Sequence, residues 1–256
     1  MRRPKGRVLF FALALCALAL VAVASAQTVR QGNLVVSIEG QISPRALPRH
    51  EPAPISLSVS GSLKTADATH PPALKTLFLE FDRHGQLNTT GLPTCRAAQL
   101  RATLTAQAKR ACGDALIGQG RAQAEIAFPE QPPFSASGPM LLFNGAPEGA
   151  QRVILIHVYA FVPAPTTFVT KAIIGHAKGK YATTAEVEIP TIVSGQGSLT
   201  AFNATLRKAW TYKGKKQDLL LATCPTGHLY AHGDFLFADA TELAGTVARS
   251  CTPKGR

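Results

Sequence analysis

The sequence predicts an all-β protein: a single-domain β-sandwich, with a barrel-like sheet as the alternative and one short helical segment near residues 94–113. Three observations carry that prediction. Apolar residues recur at every second position through most of the chain. In "ISLSVSGSL" Ile55, Leu57, Val59, Gly61 and Leu63 share one face and four serines share the other, the pattern of a half-buried strand. Gly- and Pro-based turn signals interrupt the alternation roughly every ten residues, as in sandwiches and barrels. Composition adds the third: 46% hydrophobic, 7% aromatic and 16% charged residues describe a chain that packs a core rather than a disordered one.

The elements follow in order. "MRRPKGR" carries Arg2, Arg3, Lys5 and Arg7 and no acid. An apolar run from Val8 to Ala24 follows, then "ASA" before Gln27. A charged head, an apolar centre and a small-residue cleavage site make residues 1–26 a Sec-type signal peptide cut after Ala26. The apolar run sits at the short limit for a membrane span, so no transmembrane span is expected after cleavage. Leu15 before Cys16 argues against lipoprotein processing, and "RRPKGR" lacks the apolar residues of a twin-arginine signal. The expected location is secreted or extracytoplasmic. Residues 27–256 then form the one domain, since no linker divides them. Losing four basic residues leaves 23 of the 27 against 15 acids, a net charge of +8.

Strands are expected over Asn33–Ile42, Ile55–Leu63 and Leu74–Asp82, with a short one near Gln86–Thr89. The Pro-rich stretch 43–54 reads as a loop crossing between sheets. Strands resume at Leu116–Phe128, Gly138–Gly145 and Arg152–Phe161. The last is apolar on both faces, as in a covered central strand. Pro163–Pro165 marks a turn. Thr166–Gly179 and Tyr181–Pro190 form a hairpin around Lys178–Lys180. After the Ser194–Gly197 loop come Ser198–Tyr212, Asp218–Cys224, His228–Asp239 and Leu243–Cys251, the last three read as a meander. "VSGSL" at Val59 and "VSGQGSL" at Val193 hint at an internal duplication.

Between these strands, Thr94–Gly113 is rich in helix formers, with Cys95 and Cys112 at its ends. One straight helix would hold their Cα atoms roughly 25 Å apart, whereas a disulfide needs about 4.4–6.8 Å. Removing Cys16 with the signal leaves four cysteines, and an even number in an exported chain favours two disulfides. Their spacing is too wide for a zinc site. The segment is therefore expected to bend at "RATLT" into two short turns, with Thr94 and Thr105 as N-caps and Gly113 as the stop. The bond would close a 17-residue loop and contribute about 3 kcal/mol. Cys224 and Cys251 suit a second bond at one sheet edge; the two crossed pairings remain open.

Catalytic patterns for serine hydrolases, zinc peptidases and nucleotide binding are absent. "GDALIGQG" lacks the Gly-Lys-Ser/Thr ending and precedes a strand. His228 and His232 lie about 13 Å apart along one strand, so no metal and no cofactor is expected. His157, in an apolar strand, reads as a hydrogen-bonded core residue, and His84 as a turn residue. Glu186/Glu188 and Glu80/Asp82 are same-face carboxylate pairs. With the His228–Asp234 face they support a carbohydrate hydrolase as an alternative function. The most distinctive surface stretch is "RKAWTYKGKK". Trp210, the only tryptophan, shares a strand face with Tyr212, and Arg207, Lys208, Lys213, Lys215 and Lys216 flank them. Aromatics among cations stack on ligands and attract anionic polymers. The expected partner is an anionic envelope polymer or another envelope protein, not nucleic acid. The leading expectation is a non-enzymatic binding or structural protein of the envelope or extracellular space. A carrier of an apolar ligand between the sheets is the third reading.

The stretches "CPTGHLYAHGDFLFADATELAGTVARSC", "IPTIVSGQGSLTAFNATL" and "CGDALIGQGRA" resemble a group of exported bacterial β-rich proteins with paired cysteines. The resemblance implies the two local pairings, Cys95 with Cys112 and Cys224 with Cys251. It implies no activity.

Overall fold

The computed structural model describes residues 27–161 and 164–255; the expected signal peptide lies outside them. The strands are β1 (Gln27–Gln31), β2 (Leu34–Ser43), β3 (Ala46–Pro48), β4 (Ala53–Pro54), β5 (Ser56–Thr65), β6 (Leu74–Asp82) and β7 (Gly85–Leu87), followed by helix α1 (Thr105–Cys112). Then come β8 (Leu116–Ile126), β9 (Phe134–Asn144), β10 (Arg152–Ala160), β11 (Thr166–His176), β12 (Tyr181–Glu188) and β13 (Gly197–Leu206). The chain ends with β14 (Ala209–Tyr212), β15 (Lys215–Asp218), β16 (Leu220–Ala222), β17 (His228–Phe237), β18 (Glu242–Ser250) and β19 (Thr252–Lys254).

Twelve of these strands form one sheet in the order β1-β2-β5-β13-β8-β9-β10-β11-β12-β6-β17-β18. Each pair of neighbouring strands within it is antiparallel. The sheet curls until its two edges meet. A Cβ on Gly245 of β18 would lie 3.2 Å from Val29 Cγ1 of β1, and Arg249 Nε of β18 donates to Gly40 O of β2. The all-β class stands, and the barrel-like alternative describes the sheet, because it is one nearly closed sheet rather than two stacked ones.

Glycines let the sheet bend that far. A Cβ on Gly120 would fall 1.8 Å from Asn203 O, and one on Gly138 would fall 1.9 Å from Tyr159 O. Adjacent backbones approach more closely there than any side chain permits, as at barrel corners. Inside, the alternating apolar residues form one cluster, including Val36, Leu63, Met140, Ile154, Val187, Phe235 and Phe237.

One end of the barrel, where β2 finishes and β5 begins, is covered by small sheets. β16 pairs with β4 and β7, and β19 runs parallel to β3. Leu47, Ala222, Leu229 and the Cys224–Cys251 disulfide pack beneath them. The expected meander is therefore corrected. β17 pairs with β6 and β18, and the three-residue β16 belongs to the end cap. The stretch 43–54, expected as a loop, supplies β3 and β4. The hinted duplication has no structural counterpart: Val59 lies inside β5, whereas Val193 and Ser194 form a 3-10 turn with φ of 47° and 53°.

The Cys95–Cys112 disulfide, Cα–Cα 5.5 Å, closes a clasp on the barrel's outer face. Its bend is at Ala102, where φ is +55°, and Thr103 Oγ1 donates to Leu100 O at 2.7 Å. The turns begin differently from expectation. Arg96 and Leu104 precede them, and the side-chain oxygens of Gln99 and Gln107 accept from the Arg96 and Leu104 N–H groups. Thr105 is the first helical residue. Gly113 keeps helical angles (φ −57°, ψ −36°) and opens a further 3-10 turn rather than a left-handed stop.

Candidate functional site

The alternation that buries one face of β2, β5, β13, β8 and β9 leaves the other face polar, and register aligns its side chains in rows. Ser37, Ser62, Ala201, Gln123 and Ser137 form one row; Glu39, Ser60, Asn203 and Arg121 form the next. Strand spacing of about 4.8 Å puts Glu39 and Arg121 roughly 14 Å apart at the ends of the second row. The result is an open groove of about 400 Å³, with backbone at Gly61, Phe202 and Ala122 as its floor. Phe202 sits on the inner face, where its ring occupies the space a Cβ on Gly61 would need.

Hydroxyls and amides line the groove, and each offers both donor and acceptor capacity. Arg121 is exposed, and its Nη2 donates to Ser137 Oγ at 3.1 Å. Arg30 and Lys64 lie beyond one end on the same outer face. Beyond the other, Lys109 of α1 donates to Gln119 Oε1 at 3.4 Å. Glu39 is the one acid in the lining. A polar concave surface bordered by cations suits a hydroxyl-rich ligand bearing negative charge.

Trp210 and Tyr212 lie on the β14–β15 hairpin, with both aromatics turned towards the segment Asn88–Leu92. Trp210 Nε1 donates to Thr90 O at 3.1 Å, and the Tyr212 ring occupies the space above Gly91. Asn88 ties the base through Gln217 Oε1 at 3.0 Å. Lys213 and Gly214 both have positive φ, as a tight hairpin turn requires. Of this cluster, the charge stays in solvent: Arg207, Lys213, Lys215 and Lys216 are exposed, Lys208 is half-buried, and Lys213 Nζ lies 5.4 Å from the Tyr212 ring centroid.

The carboxylates divide. Glu186 and Glu188 are exposed on β12, and register places Glu186 opposite Phe78, which in turn faces Asp234. Asp82 does not join Glu80 as a pair. It is buried and accepts from the His84 and Tyr230 N–H groups, at 3.0 and 3.1 Å. His84 Nδ1 lies 2.7 Å from the same carboxylate. His232 is held between Thr246 Oγ1, at 2.8 Å, and Asp234 Oδ1, at 3.2 Å. Among the described residues no group of three or more His, Cys, Asp or Glu is placed to hold a metal ion.

One constellation escaped the sequence. Ser198 Oγ lies 3.1 Å from His70 Nε2, and His70 Nδ1 lies 2.8 Å from Glu125 Oε1. The order is that of a hydrolytic triad. Ser198, however, is 1% exposed, and its hydroxyl donates to Pro71 O at 2.6 Å. Its covering loop is the one that carries His70. Uncovering the serine would withdraw the histidine. The three residues form a latch that fastens the β5–β6 loop across β8 and β13.

Compared with protein-family models, curated proteins and solved structures, the chain matches none.

Proposed function

We propose that this is an exported, non-enzymatic binding protein of the cell envelope or extracellular space, and that it holds an anionic, hydroxyl-rich polymer along the outer groove. The groove itself carries the reading: serine, asparagine and glutamine rows around Arg121, with cations at both ends and a single acid. The two disulfides accord with an oxidising compartment, and the N-terminal signal supplies the route. The β14–β15 hairpin, with its exposed lysines beside Trp210 and Tyr212, adds attraction for the same class of polymer.

Titration calorimetry of residues 27–256 with a soluble polyuronate and a neutral glucan tests this. The polyuronate binds, and more weakly as salt rises; the neutral glucan binds less tightly. Arg121→Glu weakens the polyuronate complex about 10- to 100-fold, the loss of a hydrogen bond to a charged group. Equal binding by Arg121→Glu, or none by the wild type, would sink the groove as the site.

A further inference from the structure

The clasp has a fixed root and a separately fastened tip. At the root, Cys95 N–H donates to Asn144 O at 2.8 Å, Ala146 N–H donates to Cys95 O at 2.9 Å, and the disulfide joins both arms. At the tip, Thr103 O accepts from Thr167 Oγ1 at 2.9 Å and meets His157 Nε2 at 3.0 Å. His157 is fully buried. With Thr103 O as its acceptor, Nε2 carries the ring proton. Nδ1 is buried with no hydrogen-bond partner. Under the clasp, Leu141, Phe143, Val153 and Leu155 form an apolar patch on the outside of the barrel.

We propose that the clasp is an acid-released cover. Protonation of His157 unfastens Leu100–Thr105 from β10 and β11 and bares the apolar patch, while the Cys95–Cys112 bond keeps the freed loop tethered.

A second ring proton would sit on Nδ1, which is buried without a hydrogen-bond partner while the clasp is closed, so burial disfavours the charged ring until the clasp opens. Nothing packed against the ring offsets that charge. The clasp presents Leu100 and Thr103, β9 presents Leu141, and β11 presents Thr167 and Val169. The charged residues of these elements, Arg96, Arg101, Lys109, Arg110 and Lys171, are exposed and positive. Burial pushes the His157 pKa below its ordinary 6.5, against a smaller opposing pull from the Thr103 carbonyl. The open form therefore binds a proton that the closed form refuses, and closure weakens as pH falls below about 6.5.

Hydrogen exchange read by mass spectrometry, corrected for intrinsic rates, tests the cover at pH 7.5 and 4.5. Peptides spanning 97–111 lose protection at least tenfold at pH 4.5, while those of β2 and β17 keep theirs, and a fluorescent apolar-surface dye binds. His157→Gln retains an amide donor for Thr103 O and cannot titrate, so its clasp stays protected at both pH values. Unchanged protection in the wild type at pH 4.5, or the same loss in His157→Gln, would overturn the proposal. If that variant does not fold, the wild-type ring decides by nuclear magnetic resonance. A His157 that titrates together with clasp opening supports the cover, and one that stays neutral or titrates with the clasp closed refutes it.

Discussion

Ser198 shows how far residue geometry alone goes towards a function. Its distances to His70 and Glu125 match those of an activated nucleophile, yet its only proton is committed to Pro71 O. The hydroxyl proton is therefore not directed at His70 Nε2, as attack assisted by that ring would require. Ser198→Ala should cost about 1–3 kcal/mol of stability in urea unfolding, the penalty for leaving buried polar groups unpaired. A fluorophosphonate probe should leave Ser198 unlabelled in the folded protein; labelling there would restore the enzymatic reading. No sequence signal announced the latch, because its contacts join residues 55 and 128 positions apart. The groove was half legible. Alternation put Ser58, Ser60 and Ser62 on one polar face, but only the register of five strands set them in rows with Asn203 and Arg121. Trp210 shows the opposite difficulty. A tryptophan among lysines reads as a stacking surface, and nothing local reveals that Thr90 takes its N–H.

At the scale of elements, the clasp was the most legible part, because distance and redox chemistry together left few conformations open. Two cysteines 17 positions apart could meet only if the helix broke, and it breaks at Ala102. The capping residues were less legible: Thr94 and Thr105 carry the preferred side chains, but glutamines three residues into each turn satisfy the leading N–H groups instead. The C-terminal meander failed for a length reason. β16 has three residues, too few to pair along β17, and β4 and β7 captured it at the barrel end. The disulfides differ in what they close. Cys95–Cys112 spans 17 positions and Cys224–Cys251 spans 27. In the chain-entropy model each contributes about 3 kcal/mol, the second about 0.4 kcal/mol more. Double alanine variants unfolded in urea check this. A loss at Cys95/Cys112 far above that of the other pair would show that the bond also holds the clasp against its apolar patch.

Period-two alternation in the sequence determines which side of each strand is buried, but it does not determine whether a dozen strands stack as two sheets or curl into one. That choice lies in a few backbone positions, notably Gly120 and Gly138, where neighbouring strands approach too closely for a side chain. A glycine in an alternating run reads equally as a bulge, a weak point or a corner. Closure matters beyond shape, because the free edges of an open sheet pair with other chains. The seam between β1 and β18 is therefore the place to test the whole molecule. A Cβ on Gly245 would lie 3.2 Å from Val29 Cγ1, so side chains at these two positions touch across the seam. Val29→Cys with Gly245→Cys should oxidise within the monomer, consuming both new thiols and speeding migration in non-reducing electrophoresis. The crosslink closes a loop of over two hundred residues, for which the chain-entropy model gives up to about 5 kcal/mol. The existing disulfides already restrict the unfolded chain, so the gain should be smaller, a rise of several degrees in Tm. Persistent free thiols, or crosslinking only between molecules, would mean that the sheet stands open in solution.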